Sequence, residues 1–273
     1  RKDYLGFIKT ASHEFIHTWN VKAYRPDGLV PYNYQDEEIT ELLWIAEGST
    51  SYFQSQLLLR AGVMTPKEFF EGLAKRVAQS EKTPGREVQS IASASANQWA
   101  SSGGDYAVNH STNIYSDGFL TSLALDFSLL EETELEHSYR DVHRQLYSEH
   151  RIPAGYNVAD VKQILKQVSG ISYDNWWLQY VNQPVSLDFD KLLEQAGLKT
   201  TYGKDSKVEP FAGVTLKSGS LVLSHVLRIG PAWNAGIVLN DEVVAINGLK
   251  VTAAGFESRI NDFKAGDTIT VTL

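Results

Sequence analysis

Two histidines four residues apart, with a glutamate beside the first, constrain this chain more than any other feature: His13-Glu14-Phe15-Ile16-His17. Residues four apart on an α-helix share one face, with Cβ atoms about 6 Å apart. Both imidazoles can then reach a single ion at roughly 2.0–2.1 Å. Leu5, Ile8, Phe15, Ile16 and Trp19 fall near helical spacing, and no Gly or Pro interrupts Phe7 to Asn20. This pattern predicts a helix over 4–20. Glu14, one residue round from His13, is placed to hold a water against a bound metal. It can take that water's proton and pass it to a leaving amine. The alternative is that either histidine is an ordinary core or surface residue.

The chain has no cysteine. Disulfides are therefore excluded, and any zinc must be held by His and carboxylate. Net charge is −8 over 273 residues, with 42% hydrophobic and 21% charged. That balance fits a globular protein and argues against a nucleic-acid partner, which needs clustered Lys and Arg. No apolar run reaches the roughly 20 residues that span a bilayer. Arg1 is not a natural start residue, so the sequence reads as an internal fragment, and the lack of a signal peptide carries no weight.

Along the chain, a loop is expected from about Ala23 to Asp36. A second helix is expected from near Asp36 to Ala61-Gly62, and a third from the Thr65-Pro66-Lys67-Glu68 start signal to about Ser80. Residues 83–113, rich in Ser, Gly, Ala and Asn, read as a long polar loop over the surface or a cleft. Helices return at Gly118–Glu132, near 137–149 and 158–169, and at Asp174–Asn182 and Asp188–Ala196, with Gly197 as a C-cap. Thr200–Glu209 reads as a linker. Beyond it come short β-type runs at Gly213–Leu216, Leu221–Leu227, Glu242–Ile246 and Thr268–Leu273, parted by turn signals such as Asn247-Gly248. A domain boundary is expected near 205, giving domains 1–205 and 206–273.

Trp44-Ile45-Ala46-Glu47-Gly48 puts a carboxylate in an apolar helical setting. Such a carboxylate is rarely buried unless paired, protonated or on a metal. Glu47 is the expected third metal ligand; the alternative is a surface glutamate. Glu37, Glu38 and Glu41 read instead as a solvated first helical turn. Residue types alone do not mark which carbonyl or carboxylate orients the imidazoles.

The run His13-Glu14-Phe15-Ile16-His17-Thr18-Trp19-Asn20-Val21-Lys22, followed by Arg25-Pro26, resembles the M61 glycyl aminopeptidase family. So does Leu43-Trp44-Ile45-Ala46-Glu47-Gly48-Ser49-Thr50-Ser51-Tyr52-Phe53, in which the Glu before Gly is the family's zinc ligand. Tyr115-Ser116-Asp117-Gly118-Phe119-Leu120 is similar to a third segment, shared with M1-like peptidases. One departure is the run Ser49-Thr50-Ser51, where M1-like sequences often carry Phe or a nearby acid. The resemblance implies a mainly α catalytic subdomain, a gluzincin-like helical bundle, holding Zn2+ on His13, His17 and Glu47. It implies Glu14 as general base and Tyr115 as donor to a tetrahedral oxyanion.

Residues 209–273 resemble a PDZ domain of the bacterial protease-associated type, a small α+β module. The resemblance is carried by Phe211-Ala212-Gly213-Val214, Gly230-Pro231-Ala232, Ala235-Gly236-Ile237, Asn240 to Gly248, and Gly266-Asp267. It implies capture of a peptide C-terminus by strand addition. The last strands of such a module are expected to lie beyond Leu273, which would leave a sheet edge exposed. The implied activity is hydrolysis of peptides with Gly or Ala first. The family's amine-reading region is expected to lie upstream, so this chain alone is expected to have little activity. A zinc endopeptidase, and a PDZ-based binding protein on an inactive scaffold, stay open as alternatives. The resemblance favours a periplasmic or secreted location without excluding the cytoplasm.

Overall fold

The structure, a computed structural model, describes residues 1–100, 103–184, 187–201 and 210–273. It is mainly helical. In order come α1 (Lys2–Ile16), a π-helical turn (Trp44–Ser49) running into α2 (Thr50–Arg60), α3 (Pro66–Glu81), α4 (Ile91–Ala96), α5 (Gly104–His110), α6 (Ser116–Glu132), α7 (Tyr139–Glu149), α8 (Val158–Ser169), α9 (Asp174–Trp177) with a second π turn (Leu178–Asn182), and α10 (Phe189–Glu194). Then follow β1 (Val214–Leu216), β2 (Leu223–Val226), α11 (Pro231–Asn234), β3 (Ala245–Ile246), β4 (Leu249–Lys250), α12 (Phe256–Asn261) and β5 (Val271–Thr272). Among the described residues no helix is long and apolar enough to cross a membrane.

The chain forms two compact units. One comprises Arg1–Ser101 and Ser111–Lys199; the other comprises Ser102–His110 and Thr200–Leu273. The helical unit is organised around α6. Every residue from Asp117 to Leu125 is buried there, as expected of a helix apolar on nearly all sides. The π turn, α2, α3 and α7 pack against it. Helix starts follow their sequence signals. Thr65 and Glu68 form a reciprocal capping box at α3, and Asn157 and Asp160 do so at α8, each worth about 1 kcal/mol. Gly170 closes α8 at φ +81°, a conformation that favours glycine.

Two expectations fail locally. The second helix begins at Trp44, not Asp36. The backbone of Ile39 lies against Gly28, where an added Cβ would meet the Ile39 carbonyl oxygen at 2.5 Å. Thr40 Oγ1 accepts from Leu42 N, and Trp99 donates to the Glu38 carbonyl. These tertiary contacts hold 37–40 out of a helix. Residues 83–113 are not a loose loop, because α4 and α5 lie in them. Ser90 caps α4 by accepting from Ser93 N, and Ile91, Ala92, Ala94 and Ser95 are buried. Of the expected linker Thr200–Glu209, residues 202–209, and with them the boundary expected near 205, lie outside the described residues.

The small unit holds an antiparallel β1–β2 pair and a three-stranded sheet in the order β4-β3-β5. The strands are shorter than the sequence runs suggested. Asn247 and Gly248 turn the β3–β4 hairpin with φ of 49° and 73°, the left-handed pair that a two-residue turn requires. Leu223, Val226, Val243, Ile246, Phe256 and Ile260 fill its core. Helix α5 belongs to this unit through side-chain bonds to the C-terminal end of β2. Asp105 Oδ1 accepts from Val226 N at 2.8 Å, Asn109 Nδ2 donates to Val226 O at 2.8 Å, and Asn109 Oδ1 accepts from Arg228 N at 2.8 Å.

Candidate metal centre

The site lies entirely in the helical unit, where α1 meets the π turn, α2 and the first turn of α6. His13 on α1 and His17, the residue at its C-terminal cap, lie on one face, and their rings meet edge to face at 4.6 Å. Glu47 enters from the π turn. A single π turn inside a longer helix re-aims its side chains and recurs at functional sites. Ser95, Asn20 and a close glycine–glycine contact secure it here. Ser95 Oγ on α4 accepts from Trp44 N at 3.0 Å, which satisfies the helix start. Asn20, just past His17, is buried and donates its amide to the carbonyls of Ile45 and Ala46 at 2.9 and 3.1 Å, and to Thr50 Oγ1 at 3.0 Å. Two glycines close the packing on the other side: a Cβ on Gly48 would lie 2.5 Å from the Gly118 carbonyl carbon and 2.8 Å from Ile114 O. Only backbone fits at that crossing.

The donor atoms converge. His13 Nε2 is 3.1 Å from Glu47 Oε2, His17 Nε2 is 3.4 Å from the same oxygen, and the two Nε2 atoms are 3.0 Å apart. Zinc bonds of ~2.0–2.1 Å at a tetrahedral angle would set donors roughly 3.3 Å apart. The remote nitrogens have acceptors of their own. His13 Nδ1 lies 3.0 Å from Gln54 Oε1, and His17 Nδ1 lies 2.9 Å from the Asn20 carbonyl. With a proton on each Nδ1, both Nε2 lone pairs and a carboxylate oxygen point at one spot. Three acceptors facing one another repel unless a cation or protons lie between them. The residues present therefore fit a zinc ion.

Protons on the Nε2 atoms can meet the same need. Burial pushes the Glu47 carboxyl up, but hydrogen bonds from His13 and His17 outweigh it and hold it at about 2. Burial lowers His17, while Glu47 and the Asn20 carbonyl more than offset this and leave it raised. Next to Asn20, the β-branched Val21 sits at φ 114°, a strained backbone conformation.

Tyr115 stands at the start of α6 with its ring 6.2 Å from that of His13 and 44% of its surface exposed. Asn113 Oδ1 accepts from the backbone N–H of Tyr115 and Ser116, and Asp117 Oδ2 accepts from Asn113 N. Burial, then the carboxylates of Glu47 and Glu14, raise its phenol and keep it a proton donor. Glu14 is exposed on α1 next to His13. The structure thus brings His13, His17, Glu47, Tyr115 and Glu14 to one place. Gln54, Ser95 and the Gly48–Gly118 contact were not singled out from sequence. Gln54 had a usable signal, since it follows Glu47 by seven residues, two turns along one helical face.

The profile of M61 glycyl aminopeptidase matches residues 6–121, the span that holds all five of these residues. The fold is similar to the crystal structure of an aminopeptidase N family protein from Idiomarina loihiensis, with a TM-score of 0.86 and 24% identity. The match covers 99% of this chain and 49% of that one, so this chain spans about half the length of that protein. At this identity the likeness shows a shared fold. No curated protein sequence matches the chain.

Proposed function

We propose that this chain, whose residues 6–121 match the M61 glycyl aminopeptidase family, is the metal-binding part of a zinc aminopeptidase. Its substrates are peptides with a small first residue, Gly or Ala, as the family resemblance implies. The observation that carries the proposal is the convergence of His13 Nε2, His17 Nε2 and Glu47 Oε2 within 4.8 Å of one another. Zinc bound there would supply a Lewis acid that polarises the scissile carbonyl and acidifies water. The chain's own groups do the rest. Glu14 accepts the proton of the attacking water and delivers it to the departing amine. Tyr115 donates its hydroxyl to the oxyanion that develops on the carbonyl. The Asn20 carbonyl keeps the His17 Nδ1 proton in place.

The test uses the full-length protein. Glu14→Gln should lower turnover of a Gly- or Ala-initiated peptide by at least ~10²-fold while zinc content, read by metal analysis, stays at one per chain. Unchanged turnover would remove Glu14 from the mechanism. Cleavage of N-acetylated peptides as fast as free ones would favour the endopeptidase reading instead.

The small unit, on this reading, is a PDZ-type module spanning 206–273, with α5 added to it. In its favour, among the described residues β1 pairs with β2 along one edge and with no strand along the other. A 450 Å³ cavity lies between that strand and α12, lined by Ala212, Val214, Phe256, Ile260 and Phe263 among others. A peptide ending in an apolar residue should bind there through its free carboxylate. Equal binding of the C-terminally amidated peptide would exclude this mode.

A further inference from the structure

Gln54 is a buried polar residue on α2, with 7% of its surface exposed. It lies two turns past Glu47, and its amide reaches back to α1. Its side-chain oxygen sits 3.0 Å from His13 Nδ1. Its backbone carbonyl also accepts from Ser12 Oγ, at 3.4 Å. The helix that carries Glu47 therefore grips α1 at the first histidine itself. His17 is held differently, by the main-chain carbonyl of Asn20. A backbone carbonyl is present whatever the side chain, so the orientation of His17 is built into the fold. That of His13 depends on one replaceable amide.

We propose that Gln54 is a positioning residue for the metal centre: it fixes the tautomer and ring plane of His13, and does so as a neutral acceptor. The amide oxygen accepts the Nδ1 proton, which leaves the Nε2 lone pair directed at Glu47 Oε2 and His17 Nε2. Partners of this kind orient metal-binding histidines and raise their basicity, and losing one typically costs ~10–100-fold in metal affinity. An amide polarises the N–H less than a carboxylate would, so this centre holds its ion less tightly than the fold permits. Without any acceptor, the part-buried Nδ1–H is left unpaired. The ring then gains by moving its proton to Nε2 and is lost as a ligand. The inference rests on the reading that His13, His17 and Glu47 hold zinc.

The experiment is a competition titration of full-length protein against a zinc chelator, with thermal melts of the metal-free forms. Gln54→Leu, close in size but without an acceptor, should weaken zinc ~10–100-fold and leave the metal-free melting temperature unchanged or raised. Gln54→Glu should bind zinc at least as tightly as the wild type, although the metal-free protein is destabilised by a second carboxylate near Glu47. A mere packing role predicts the reverse order: Leu harmless to affinity, Glu damaging. That order, or wild-type affinity in Gln54→Leu, overturns the role of Gln54 and leaves the zinc reading standing. A wild type that binds no zinc, or binding that survives His17→Ala and Glu47→Ala, overturns the zinc reading itself.

Discussion

His143 sits on α7 with its Nδ1 2.8 Å from the Tyr24 hydroxyl and its ring edge-on to Phe53 and Tyr139. Nε2 finds no hydrogen-bond partner among the described residues. Burial pushes this imidazole down to about 3, so the folded protein keeps it neutral where an unfolded chain would protonate it. Between pH 6.5 and 3 the unfolded state binds the extra proton, so its contribution to stability falls as pH falls and is constant above about pH 7. From pH 7 to pH 5 the wild type should lose about 2 kcal/mol through this residue alone. In His143→Phe that part of the loss should vanish, as denaturant melts at the two pH values would show; an unchanged difference would mean that His143 is hydrated in the folded state. His13, Glu14 and His17 were legible because four-residue spacing on a helix is a strong pattern. Gln54 and His143 were not, because an amide or imidazole on an amphipathic helix looks the same whether it faces water or a buried partner. Their meaning depends on what packs opposite.

At the scale of elements, the site is a crossing of helices held at backbone distance by Gly48 and Gly118. Gly48→Ala would drive a methyl group into the main chain of α6. The expected cost is at least ~2 kcal/mol of stability, with Tyr115 displaced from the metal ligands. A structure or a chemical melt of the variant checks both, and wild-type stability would show that the helices part easily. Removing the Asn20 amide should act on the same element from the other side. Asn20→Ala leaves the carbonyls of Ile45 and Ala46 without that donor and should cost about 1–3 kcal/mol in a denaturant melt. The helices that carry strong end signals, α3 and α8, were legible to within a residue or two. The start of the π turn was not. Acids over 36–41 imitate a helical first turn, and what prevents it is the contact of Ile39 with Gly28. Residues 83–113 misled by composition. Small and hydroxylated residues read as loop, yet here they let α4 pack closely, and Ser95 caps the turn that bears Glu47. The β hairpin was readable from Asn247-Gly248, where local backbone chemistry decides.

For the whole molecule, the divided small unit matters most. Asp105 and Asn109 occupy backbone groups at the end of β2. A fragment of residues 200–273 alone lacks those partners and should be less stable than the same fragment mixed with a peptide of residues 103–111. Chemical melts with and without the peptide would show it, and no effect would make α5 incidental to the unit. In the full chain, Asp105→Ala with Asn109→Ala should speed amide exchange at Val226 and Arg228 by ~5-fold or more, while Leu223, bonded to the Asp241 carbonyl, stays protected. No local signal marked this pairing, because the segment Ser111–Lys199 of the helical unit separates its two halves. Its consequence reaches the gene. The unit borders fall at Ser101, His110 and Lys199, so no single recombination breakpoint excises one unit whole. A crossover after codon 199 would leave α5 encoded without its strand, and a module acquired there would arrive without its helix. Exchange of either half alone would leave the Val226 and Arg228 backbone without the side chains of Asp105 and Asn109.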